Sequence, residues 1–157
     1  MKRWLLLFVL TLPFAVAAQN AAVERFYDRY AAAEGVTSVQ LEPKMMQLMS
    51  RQAAERGDRE LSRLLEDIRF IRIVALKTGD REAFVAAAQK AVEEGKFGLV
   101  TAVAEEGQTT KFFLRESRLS RADELVMLTY GAKETVVVDI CGSFDLEQVM
   151  LLSTLRP

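Results

Sequence analysis

The chain has 157 residues, with 21 Lys and Arg against 22 Asp and Glu, a net charge of −1 and a pI near 5.7. No domain-wide basic excess exists to hold a phosphate backbone, which argues against a nucleic-acid partner. It contains no histidine and one cysteine, Cys141, which removes Ser-His-Asp and Cys-His catalysis, histidine-ligated zinc or haem, histidine pH switching and any internal disulfide.

The N-terminus reads as an export signal. Met1-Lys2-Arg3 is cationic, Trp4–Phe14 is apolar, and Ala15-Val16-Ala17-Ala18 are small, the order of a cleaved secretory leader. Val16 and Ala18 place the cut between Ala18 and Gln19. The apolar run is shorter than the roughly 20 residues a membrane span needs and is interrupted by Pro13. A lipid anchor would need a cysteine just after this run, and none is there. Residues 1–18 are therefore expected to be a signal peptide and 19–157 one globular α+β domain, periplasmic or secreted, with no transmembrane segment after cleavage. Cleavage leaves 139 residues and, by removing Lys2 and Arg3, a net charge of −3. A chain of this length can bury about two thirds of its unfolded surface without disulfides.

Along that domain, Ala21–Ala33 carries Val23, Phe26, Tyr27 and Tyr30 at helical spacing and stops at Gly35. Val36–Leu41 is short and β-rich. Pro43 suits the first turn of a second helix with Met45, Leu48 and Met49 on one side. Gly57-Asp58 breaks it, and helical spacing resumes through Leu61, Leu64, Leu65 and Ile68. Phe70–Leu76 is a strand. Thr78-Gly79-Asp80 caps a helix with Phe84, Val85, Ala88, Ala91 and Val92 as core positions, and Gly95 ends it. The period then changes to two: Leu99–Ala104, Thr109–Arg115, Glu124–Tyr130 and Thr135–Cys141 are four consecutive strands joined by short turns. A closing helix begins near Ser143 or Asp145 and carries Leu146, Val149, Met150 and Leu152.

Short turns make the four strands an antiparallel meander, and the expected fold is a mainly antiparallel sheet with helices packed on one face, a two-layer sandwich. Two strands strain that expectation. Thr135–Cys141 has Val136, Val138 and Ile140 on one face and Val137 and Cys141 on the other; Glu124–Tyr130 sets Leu125 and Met127 against Val126, Leu128 and Tyr130. The second apolar face needs cover from the other helices, another subunit or a ligand.

The segment Met45-Met46-Gln47-Leu48-Met49, the strand Phe70-Ile71-Arg72-Ile73, the helix Phe84–Gly95 and the meander ending Val136-Val137-Val138-Asp139-Ile140-Cys141-Gly142-Ser143-Phe144-Asp145-Leu146 together resemble the family of unknown function numbered 4252, over about residues 22–155. The resemblance implies an exported protein, found largely in Bacteroidetes, with no assigned activity and no catalytic residues to carry over.

The sequence points to one tentative binding region, Asp139, Cys141, Gly142, Ser143 and Asp145, placed where a strand ends and a helix begins. Backbone N–H groups there favour anions, the two carboxylates favour a cation, and an ordinary cap with Asp145 and Gln148 explains the same residues. Cys141 has no histidine to activate it and reads as a small buried apolar residue, or in an oxidising compartment as half of an intermolecular disulfide. Met45, Met46 and Met49 read first as core packing and second as a soft metal site or a pliable partner surface, with Met46, off the stripe, as the exposed thioether of the second reading. Glu105-Glu106 and Asp123-Glu124 read as solvated turn charges. Lys111 and Ser117 have nothing to fix a Ser–Lys geometry. No catalytic, cofactor or metal residues are assigned. The expectation is a non-enzymatic exported domain with a protein partner or a homo-oligomeric state, in envelope signalling or assembly; the alternative is a periplasmic small-molecule or lipid binder.

Overall fold

A computed structural model describes residues 20–116 and 122–145. Its elements are α1 (Ala21–Tyr30), β1 (Val36–Leu41), α2 (Pro43–Glu55), α3 (Arg59–Asp67), β2 (Ile68–Leu76), α4 (Arg81–Glu94), β3 (Gly98–Glu105), β4 (Gln108–Glu116), β5 (Ala122–Gly131) and β6 (Val136–Phe144). The expected leader and closing helix lie outside the described residues.

Local chemistry sets the helix starts. The Asn20 carboxamide oxygen accepts from the Ala22 and Val23 amides at the head of α1, Asp58 from Leu61 at α3, and Asp80 from Ala83 at α4. Asn20 Nδ2 also donates to the Gly95 carbonyl at 2.8 Å, tying the start of α1 to the end of α4. Gly95 is needed for this approach, because a Cβ there would lie 2.7 Å from Phe97 Cε2 and 2.8 Å from the Asn20 amide atoms. Between β3 and β4 the loop is Glu106-Gly107, both at positive φ (50° and 75°), the two-residue reversal whose twist suits a hairpin.

The strands form one antiparallel sheet in the order β1-β2-β6-β5-β4-β3. The expected α+β class and meander are present as β3 to β6. The expectation of helices on one face is corrected: they cover both. α1 and α4 pack over Val74, Val126, Leu128 and Val137, with Phe26, Tyr30 and Phe84 in edge and tilted ring contacts 4.8–5.4 Å apart. α2 and α3 pack on the reverse face through Met46, Ala53, Leu64 and Leu65 against Phe112, Leu114 and Leu125. The alternation Leu125, Val126, Met127, Leu128 assigns successive β5 residues to opposite layers. The physical reason is the apolar bulk on both faces of β5 and β6, which a single helical layer would have left wet.

α2 is rotated relative to its expected placement. Met46, Ser50 and Ala53 face the sheet, while Met45, Leu48 and Met49 are exposed. Ser50 donates to the Ser62 carbonyl at 3.0 Å, knitting α2 to α3, so the buried stripe is set by a small polar contact as much as by bulk. No helix among the described residues is long and apolar enough to cross a membrane.

Candidate functional site: a buried ion cluster

On the α1/α4 face, strand periodicity lines up Phe70, Arg72 and Val74 on β2, Val137, Asp139 and Cys141 on β6, and Glu124, Val126 and Leu128 on β5. The register does the rest. Arg72 stands opposite Asp139, Phe70 opposite Cys141, and Glu124 opposite Cys141. Four chemically active side chains thus converge where one end of the sheet meets α1.

Arg72 directs Nη2 and Nε onto Asp139 Oδ2 at 2.6 and 3.1 Å, and Nη1 reaches Glu24 Oε1 on α1 at 3.1 Å. Its guanidinium lies 4.5 Å from the Tyr27 ring centroid and 5.0 Å from that of Phe70, a stacked cation between two aromatics. The Tyr27 hydroxyl donates toward the Arg72 and Val137 carbonyls at 3.1 and 3.2 Å. The Cys141 thiol donates to Asp139 Oδ1 at 3.8 Å. Glu124 is held by Arg115 on β4, whose Nη2 is 3.0 Å from Oε2. Asp139 and Glu124 are both 0% exposed.

Burial controls the protonation of this cluster. It pushes Glu124 up to about 7, helped by the Asp139 charge and opposed by Arg115. Burial also raises Asp139, with Arg72 pulling it back. The Cys141 thiol is raised well above its ordinary range, first by burial and then by the two carboxylates. It stays protonated and is poorly suited to nucleophilic attack. Tyr27 is raised by burial and then by Asp139. For Arg72 burial acts downward, but Asp139 and Glu24 outweigh it and the guanidinium stays charged. Two carboxyl groups this close in a dry site hold a proton between them near neutral pH.

Glu124, Asp139 and Cys141 offer one ligand atom each within 4.8 Å of one another. Arg72 occupies Asp139 Oδ2 and Arg115 faces Glu124 Oε2. A cation entering here would have to displace or repel two guanidinium groups, so the donor set suits a proton and does not fit a metal ion.

Of the expected region, Asp139 and Cys141 belong to this cluster. The strand end is corrected from Cys141 to Phe144, so that Gly142 and Ser143 lie inside β6, while the helix expected to follow lies outside the described residues. Gly142 pairs with Ile68, Phe144 pairs with Ala122, and Ser143 lies between them in the strand. Asp145 follows the strand. Asp123-Glu124 was expected to be a solvated turn pair; Glu124 is instead sealed in β5. Reading by composition missed Arg72, Glu124 and Tyr27. The signal was a charge inside an apolar strand run, Arg72 within Phe70–Leu76, matched by Asp139 within Val136–Cys141: a core charge requires a partner.

The Tyr27 hydroxyl bridges two strands from α1, and Tyr27→Phe removes only that group. The expected loss is about 1–2 kcal/mol in a urea titration followed by far-UV circular dichroism, since two buried carbonyls lose a donor.

These features define a three-layer α+β domain, an antiparallel sheet between two helix pairs with an internal ion lock. The chain belongs to the family described as a domain of unknown function (DUF4252), which matches residues 30–152. No curated protein and no solved structure matches it.

Proposed function

We propose that this is an exported, non-enzymatic protein-binding domain that works at the cell envelope, in signalling or assembly, and that α2 and α3 present its docking surface. The observation that carries this reading is the outer face of α2. Met45 (44% exposed), Leu48 (49%) and Met49 stand at i, i+3 and i+4, with exposed Leu61 of α3 among the same large apolar residues on this layer. The opposite side of the same helix already buries Met46, Ser50 and Ala53. A helix that is apolar on both sides is a fully buried helix or one with a partner still to come. Two thioethers add a pliable surface suited to another protein's side chains. Exposed Lys44 and Arg51 flank it, which favours an amphipathic helix with an acidic rim as the occupant. The sealed ion cluster supports the non-enzymatic part of the reading, since its carboxyl and thiol groups lie beneath α1 and out of reach of a substrate.

The test compares capture from envelope extract by the unaltered protein and by Leu48→Lys/Met49→Lys, both at exposed positions. Burial of each side chain is worth about 1.5–3 kcal/mol, so capture of a genuine partner should fall by at least about tenfold. Equal capture by both proteins would remove the α2 face from the account.

A further inference from the structure

We propose that β3 is a self-association edge, where a second copy of this chain adds its own β3 antiparallel to the first to make one continuous sheet. This goes beyond the α2 reading and uses a different surface.

Among the described residues, β3 ends the strand order and pairs only with β4. Every residue from Gly98 to Glu105 is exposed or half-exposed, Leu99 at 56%, with Val100 and Val103 also exposed. Leu99, pairing with Phe113, points to the α1/α4 side, whereas Thr101 and Val103, pairing with Phe112 and Thr110, point to the α2/α3 side. Gly98–Ala104 contains no charge and no proline. Edges that must stay single are kept apart by charges, proline or brevity. β1, the other edge, is also free of charge and proline, but it is two residues shorter and exposes Thr37, Ser38 and Gln40 beside a single large apolar residue, Val39. The β3 edge has one such device, a bulge at Val100 between the Leu99 and Thr101 pairings. Thr101–Glu105 remains regularly paired beyond it.

The occupant follows from charge and symmetry. The strand is preceded by exposed Lys96 and ends at exposed Glu105. An antiparallel copy sets the Lys96 end of each chain against the Glu105 end of the other, so the neutral strand is complementary to itself. A two-fold pairing of this kind closes at two chains. The β1 edges at the far ends are shorter and more polar, which disfavours extension to a longer sheet. A short strand–strand interface is small, so the expected dimer is weak and concentration-dependent.

The experiment is sedimentation equilibrium of the exported protein across the micromolar range, with hydrogen exchange of the β3 amides. The expected result is a concentration-dependent dimer in which protection of β3 rises with dimer fraction. Val103→Lys should weaken it at least tenfold. Lys96→Glu should weaken it several-fold, and Lys96→Glu/Glu105→Lys should restore it, which keeps the test valid even where Val103→Lys fails to fold. A monomer throughout with freely exchanging β3 amides overturns the proposal, as does a dimer that all three variants leave unchanged. Neither failure touches the α2 surface, whose own test is capture of a different protein.

Discussion

Arg72→Met is expected to destabilise the domain by about 3–5 kcal/mol, the cost of stranding a buried charge. Asp139 is fully enclosed, and its Oδ2 receives two of the Arg72 donors. Methionine fills much of the volume between Tyr27 and Phe70 but supplies no donor. The same change releases Glu24 from the sheet, loosening α1 as well. The decisive control is Arg72→Met/Asp139→Leu, in which both charges leave together. Removing a buried pair as a unit is commonly neutral or stabilising, so the double variant should recover most of the loss. The lone tryptophan, Trp4, sits in the expected leader, so unfolding in urea is best followed by far-UV circular dichroism. A single-variant loss below about 1 kcal/mol would show that Asp139 finds other solvation and that the lock is weak.

Glu124 should give the domain an unusual pH profile. Its carboxyl rises from an ordinary 4.5 to about 7 in the fold, so between those values the folded chain holds a proton that the unfolded chain has released. Stability from this group is therefore greatest below about pH 4.5, declines as pH rises, and levels off above about 7. The slope is at most about 1.4 kcal/mol per pH unit. The groups facing it are Asp139 and Cys141 on β6, Arg115 on β4 and Tyr27 on α1, with Arg72 acting through Asp139. Asp139 is raised as well, so the loss belongs to the carboxyl pair. Between pH 5 and pH 8 the unaltered protein should lose roughly 2 kcal/mol, and Glu124→Gln, which keeps the shape without the titration, should lose much less. Equal profiles for the two proteins would place the Glu124 proton elsewhere.

Much of the fold was readable before any coordinates. The meander was legible because four β-rich runs follow one another with short connections, even though β5 and β6 are apolar on both faces. Helices α1 and α4 were legible because their apolar spacing is bounded by Gly35, Asp80 and Gly95. What escaped was long-range. Nothing local says that β2 inserts between β1 and β6, yet that pairing sets Arg72 opposite Asp139 and so makes the ion cluster. The rotation of α2 escaped for a similar reason. With Met45, Met46, Leu48 and Met49 all apolar, helical period alone does not choose the inner side, and the Ser50–Ser62 contact that chooses it needs α3 in place. The second helical layer was half legible, since the two-faced bulk of β5 and β6 demanded a cover without naming it. Glu124 was misread because a charge beside a turn is usually wet, and only Arg115 and the opposing β6 make this one dry.

The protein-binding reading can be tested most directly by photo-crosslinking in the source cells, with a crosslinkable residue at Leu48 on the outer face of α2 and a control at exposed Lys90 on α4. The expected result is one protein adduct formed from position 48 and absent from position 90. Identical adducts from both positions, or none from position 48, would contradict a docking role for the α2 face.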